Sequence, residues 1–228
     1  RRARFSRIRE SLKNHMPSVL SEAQLDQIRN LAKAKHEKQD FDHTMWHIEL
    51  TAGIARYLAA IENADIEVCG AAAYLHDIAK NSADKHAAAG AAEARVFLTR
   101  IKAPDSFIDG VCYAISQHDN DLKKNTREAE VLWDADKLQS VGPLGFTRVV
   151  CYRMVYLDVR DIRAAVKQAR EYLAFFYPRF YTSAAREIAA KMEKLMDEFF
   201  RLYDLATEGE FGSLLQKDNR ANGTPANI

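Results

Sequence analysis

The stretch Asp42-His43-Thr44-Met45-Trp46-His47, continued through Leu50, Ile54 and Leu58 to Ile61, decides how the chain is read. His43, His47, Leu50, Ile54, Leu58 and Ile61 recur at steps of three and four residues, the spacing of one face of an α-helix. A strand would show alternation, and no segment of the chain alternates convincingly. Both histidines therefore fall on the face that the apolar residues carry inward.

The same period runs on either side. Ser21 is placed to cap a helix with Leu25, Ile28 and Leu31 on one stripe. Residues 66–79 read as an Ala-rich helix, 81–85 as a polar loop, and 86–101, 104–118 and 126–140 as further helices. Gly142, Pro143 and Gly145 mark a turn, after which long helices are expected over 146–156, 159–176 and 182–206. The expected fold class is all-α, a single-domain helical bundle. Its parts are a helical arm over 1–40, a core over 41–150, packed C-terminal helices over 151–208 and a polar tail over 209–228.

Composition narrows the function classes. The 228 residues are 47% hydrophobic and 29% charged, ordinary for a globular protein able to bury a full core. Lys plus Arg number 33 against 32 Asp plus Glu, so no global field argues for a nucleic acid polymer or a membrane surface. The basic start, with Arg1, Arg2, Arg4 and Arg7, reads as a solvated arm carrying Phe5, Ile8 and Leu12. No apolar run approaches the roughly 18 residues of a membrane span. Cys69, Cys112 and Cys151 are widely spaced, which suits a reducing compartment, so a cytoplasmic location is expected.

Chemistry enters through inward polar residues. Besides His43 and His47, the stripe of Cys69 and Ala72 brings His76 inward with Asp77 beside it. His86 shares a stripe with Gly90, Ala94 and Phe97; His118 completes that of Ile108, Val111 and Ile115. Asp136 belongs with Ala129 and Leu132. One inward histidine is most often a satisfied core residue. A set of inward His and Asp with few inward cations calls for a shared positive partner, because unpaired buried carboxylates are disfavoured by several kcal/mol. A divalent cation held by N and O donors is the natural one.

The doublet in Ala73-Tyr74-Leu75-His76-Asp77-Ile78 resembles the signature of the HD phosphohydrolase superfamily. Residues 42–47 resemble its first-helix motif, and Leu132-Trp133-Asp134-Ala135-Asp136-Lys137-Leu138 its last, in the subset with a long helical C-terminus. The resemblance implies an HD-type bundle with one divalent metal ion (Mn, Fe, Ni, Co, Zn or Mg) held by His47, His76, Asp77 and Asp136. It also leaves open a second ion at His86 and His118, bridged by Asp77. Alternatively, those two histidines bind substrate phosphate or hydrogen-bond one of the residues that ligate the metal.

The activity implied is hydrolysis of a nucleotide-like small phosphoester, a monoester or diester, through a metal-activated water. Asp77 would position or deprotonate that water. His43 would protonate a leaving oxygen or orient a ligand, or else cap its helix. Lys80, Lys137 and Arg148 are candidate phosphate contacts, with solvation or salt bridges as their plainer fates. The aromatics Tyr172, Phe175, Phe176, Tyr177, Phe180 and Tyr181 are expected to pack between the last two helices rather than wall a nucleobase. Two other readings stand beside this one: a di-iron oxidative enzyme, which needs both His86 and His118 as ligands, and a non-catalytic nucleotide-binding module. The long C-terminal helices suit a homodimer.

Overall fold

The structure is a computed structural model that describes residues 18–37, 43–81, 85–120 and 122–214. The basic arm, Asp42 and the tail beyond residue 214 lie outside the described residues. Within them the chain is all-α. Helices α1 (Glu22–His36), α2 (Met45–Glu62), α3 (Ile66–Leu75), α4 (His86–Arg100), α5 (Asp105–Ser116) and α6 (Arg127–Lys137) come first. Then follow α7 (Gly142–Tyr156), α8 (Ile162–Phe176), α9 (Ser183–Thr207) and the single turn α10 (Phe211–Leu214). No helix of the described residues is long and apolar enough to cross a membrane.

Every residue of α3 from Val68 to Leu75 is buried, which makes this helix the axis of the core. A helix apolar on all sides can only sit inside. Around it, α2 supplies Ile48 and Leu58, α5 supplies Ile115, and α6 supplies Leu132 and Trp133, all fully buried. A smaller core forms where Val166 and Leu173 of α8 meet Met196 and Phe200 of α9, with Phe146, Val149 and Val150 of α7 against them. Ser21 caps α1 as expected, through a reciprocal pair with Gln24.

Several boundaries differ from the sequence expectation, each for a local reason. Helix α3 stops at Leu75 rather than reaching residue 79, because the next bonds, Ile78 N–H to Leu75 O and Lys80 N–H to Asp77 O, span only three residues. Helix α6 ends at Lys137 and tightens into a 3-10 turn over Leu138–Ser140. The Gly142–Gly145 segment is the first turn of α7, entered through Gly142 at φ 67°. Helix α8 starts only at Ile162, since Asp158 takes a left-handed conformation and Asp161 caps the start by accepting from Arg163 and Ala164 N–H.

Two features of α6 tie it to the C-terminal helices. Buried Asp134 accepts the backbone N–H groups of Tyr181 (2.8 Å) and Thr182 (2.7 Å), fixing the start of α9. Burial pushes the Asp134 carboxyl up to about 6 against the pull of these donors. Trp133 gathers Phe176, Phe180 and Tyr181 at ring separations of 6.2, 5.9 and 5.1 Å. Phe176, Phe180 and Tyr181 thus pack on α6, where the largest buried ring of the core lies, while Tyr172 and Tyr177 pack against the core between α8 and α9 as expected.

Candidate metal centre

Five chain segments deliver donors to one spot. His47 lies in the first turn of α2 and Asp136 in the last turn of α6. His76 and Asp77 follow the end of α3, His118 follows the end of α5, and His86 opens α4. The cluster thus sits at the carbonyl ends of α3 and α5, where a positive charge is favoured.

Asp77 divides the cluster in two. Its Oδ2 lies 3.4 Å from His76 Nε2 and 4.0 Å from His47 Nε2. Its Oδ1 lies 3.4 Å from His118 Nε2 and 3.7 Å from His86 Nε2. Asp136 Oδ1 completes the first group, 3.5 Å from His47 Nε2 and 3.9 Å from His76 Nε2. Two trios, His47–His76–Asp136 and His76–Asp77–His118, each have donor atoms close enough to share one ion. Donors about 2.0–2.2 Å from a common tetrahedral metal stand roughly 3.3–3.6 Å apart, so the observed spacings need little contraction.

The far side of each imidazole is occupied. His76 Nδ1 faces Ala73 O at 2.8 Å and His118 Nδ1 faces Ile115 O at 2.7 Å, the same device at the ends of α3 and α5. His47 Nδ1 meets Gln139 Oε1 at 3.0 Å, and His86 Nδ1 lies 3.6 Å from Asp119 Oδ2. Acceptors at Nδ1 hold that nitrogen protonated and leave Nε2 as a free lone pair. Accordingly, His47 Nε2, His76 Nε2, His86 Nε2 and Asp77 Oδ1 are buried without a hydrogen-bond partner. Four orphaned acceptor atoms in one place fit a bound cation.

Electrostatics agree. Burial pulls His47 down to about 4 despite Asp136, keeping the ring neutral. Burial alone would raise both carboxyls, yet His76 and His118 hold Asp77 well below the usual range, and Lys137 with His76 does so for Asp136. Burial would lower His76, but the neighbouring Asp77 and Asp136 carboxylates raise it.

Residues 41–140 match the HD domain family, a span that contains the whole cluster. This segment is an HD domain. No curated protein matches the sequence significantly. Among solved structures, a predicted HD superfamily hydrolase from an uncultured Thermotogales bacterium aligns at TM-score 0.63 and 24% identity, over 79% of this chain and 91% of its own. YpgQ of Bacillus subtilis, solved in complex with ADP, aligns at TM-score 0.67 and 23% identity, over 80% and 94%. An HD-superfamily hydrolase from Bacillus thuringiensis aligns at TM-score 0.67 and 20% identity, over 82% and 98%. At these identities the likeness is one of fold.

The HD domain opens to solvent through a cavity of about 150 Å³ whose lining includes His47, Asp77, Asp136, Lys80, Lys137 and Arg148. Lys137 Nζ lies 2.6 Å from Asp136 Oδ2, and Lys80 Nζ 3.7 Å from Asp77 Oδ1. His43 also lines it but precedes α2; Thr44 is the N-cap, so His43 does not cap the helix. Its ring stands edge-on to His47 at 5.9 Å. Of the six aromatics singled out in the sequence, Tyr172 is the one among the cavity's lining residues.

Sequence reasoning missed Gln139 and Thr51. Gln139 donates through Nε2 to Thr51 Oγ1 at 2.6 Å while accepting from His47, and Thr51 donates to His47 O at 2.8 Å. A Gln just past a helical motif reads as solvated, and only its burial reveals the role. Gly145 was read as a turn residue, but a Cβ there would stand 2.2 Å from the Ser140 carbonyl carbon. The contact lets α7 lie against the 3-10 turn and bring Arg148 to the cavity.

Proposed function

We propose that this chain is a divalent-metal-dependent phosphohydrolase acting on a nucleotide-like small phosphoester, a phosphomonoester or phosphodiester. The observation that carries the reading is the convergence of buried, unpartnered His47 Nε2, His76 Nε2, His86 Nε2 and Asp77 Oδ1 beside three cationic side chains. His47, His76, Asp77 and Asp136 would hold one ion, and Asp77 with His86 and His118 a second. Such an ion, when bound, lowers the pKa of water and offsets charge developing on a phosphoryl oxygen.

The remaining roles belong to the chain's own side chains. Lys80, Lys137 and Arg148 bind phosphoryl oxygens, Arg148 through its planar fork. Asp77 positions the attacking water, and His43 protonates the leaving oxygen. The ADP complex of YpgQ, a protein of the same fold, supports a nucleotide-like substrate. The three free cysteines support a cytoplasmic setting.

The test is elemental analysis of wild type, His76→Ala and Asp136→Ala alongside turnover of a generic phosphoester. About one or two ions per chain, lost together with turnover in both variants, supports the reading. A wild type that takes up no metal after loading with Mn or Ni sinks it. The six-donor set also suits the oxidative di-iron reading, and bound iron with visible colour and no phosphoester turnover would favour that instead.

A further inference from the structure

One face of α7 lines the cleft along its length. Gly145, Arg148 and Val149 line the inner cavity beside the donor cluster. Val149, Tyr152 and Arg153 continue at helical steps of three and four into a second cavity of about 310 Å³. The two cavities share His43, Lys80, Val149 and Tyr172, so they are consecutive chambers of one cleft. The outer chamber alone reaches the lower end of small-ligand pocket sizes, about 300–1,000 Å³.

Arg153 lines the outer chamber, and its guanidinium group has one unmet donor. Arg153 Nε is buried and has no hydrogen-bond partner. Its backbone is fixed, since Arg153 O accepts Val159 N–H at 3.1 Å where α7 ends. A guanidinium carries five donors and no acceptor, so what completes it must accept hydrogen bonds, and an anion does so best. At about 1.5 Å rise per residue, Arg148 and Arg153 lie roughly 7.5 Å apart along the helix, two cationic stations in sequence from the donor cluster outward.

We propose that Arg153 is a substrate-binding residue that receives a second anionic group, phosphate or carboxylate, borne by the substrate beyond the scissile phosphoester. The inference rests on the phosphohydrolase reading and adds to it the charge pattern of the substrate: two anionic groups, one at the donor cluster and one in the outer chamber. Neutral leaving groups fill the chamber without meeting Arg153.

The experiment is calorimetric titration of Mn-loaded full-length protein with inorganic phosphate, pyrophosphate and phosphonoacetate. Wild type, Arg153→Gln and Arg153→Lys are compared, with thermal unfolding of each confirming the fold. The expected result is that Arg153→Gln weakens the two-anion probes by about tenfold or more while phosphate is unchanged. Arg153→Lys, which keeps the charge but not the Nε donor, recovers part of the loss. Loss confined to pyrophosphate identifies the second group as phosphate; loss with both probes extends it to carboxylates. An unchanged preference in Arg153→Gln, or equal weakening of all three probes, overturns the inference while leaving the metal-site reading intact. Loaded protein that binds none of the probes overturns both.

Discussion

Gln139 Oε1 stands 3.0 Å from His47 Nδ1, across 92 residues of sequence, and is the link that orients the first histidine of the cluster. Thr51 holds the Gln139 amide in place by accepting from its Nε2 at 2.6 Å. Arg148 Nη1 reaches Gln139 O at 3.4 Å, so the same residue also helps seat a proposed phosphate ligand. Replacing Gln139 with Met keeps its bulk and removes both polar links. Metal affinity is expected to fall by about 10- to 100-fold, the usual effect of losing a hydrogen bond that orients a ligating histidine. A chelator-competition titration measures it, and unchanged affinity would mean that packing alone orients His47.

Asp77 serves two groups of histidines through separate oxygens, so the two proposed ion positions are separable by mutation. His118→Ala removes a donor from the Oδ1 side only. Elemental analysis is expected to show this variant losing one ion and keeping the other, whereas Asp77→Ala loses both. Equal loss in the two variants would mean a single shared site.

Metal removal is expected to destabilise the fold, because it leaves four buried polar atoms unpartnered. At free metal about 100 times its Kd, binding contributes roughly 2.7 kcal/mol. For a chain of 228 residues this corresponds to a drop in Tm of about 5–10 °C on adding a chelator. Differential scanning calorimetry with and without EDTA gives the answer, and an unmoved transition would count against a metal in the core.

Asp134 sits two residues from Asp136 but faces away from the cluster, toward the start of α9. Asp134→Ala leaves the N–H groups of Tyr181 and Thr182 without their acceptor. A loss of about 3 kcal/mol in stability is expected, read by urea denaturation. Metal content per folded chain should stay at the wild-type value. A variant that folds normally but loses metal would reassign Asp134 to the site.

Gly145 permits the close contact between α7 and the 3-10 turn. Gly145→Ala would bring its Cβ to 2.2 Å from Ser140 C and 2.5 Å from Ser140 O, both backbone atoms that can yield only if α7 moves. Overpacking of this kind costs about 1–3 kcal/mol. A lower Tm is expected, together with a KM for phosphoester raised several-fold as Arg148 shifts. Wild-type values of both would show that α7 tolerates the displacement.

What the sequence determined by itself is the helical period and what shares a face with it. The steps from His47 to Leu58 and from Ile108 to Ile115 name the elements and the faces they bury, with His47 among the inward residues, since 3.6-residue periodicity is local and survives without the fold. His43 and His118 lie beyond the ends of their helices. Periodicity could not show where a helix ends within a turn. At His76 the inward pattern carries on through Ile78 and Ala79, both buried, although the backbone has already left the α-helix.

The tertiary structure alone decided which donors meet. That Asp77 turns Oδ2 to His76 and Oδ1 to His118 depends on α3 and α5 ending side by side, which no spacing along the chain encodes. The same holds for Gln139 beneath His47 and for Arg153 in a chamber continuous with the donor cluster. Periodicity fixes the face on which a residue lies; packing fixes what that face meets, because the partner comes from helices tens of residues away.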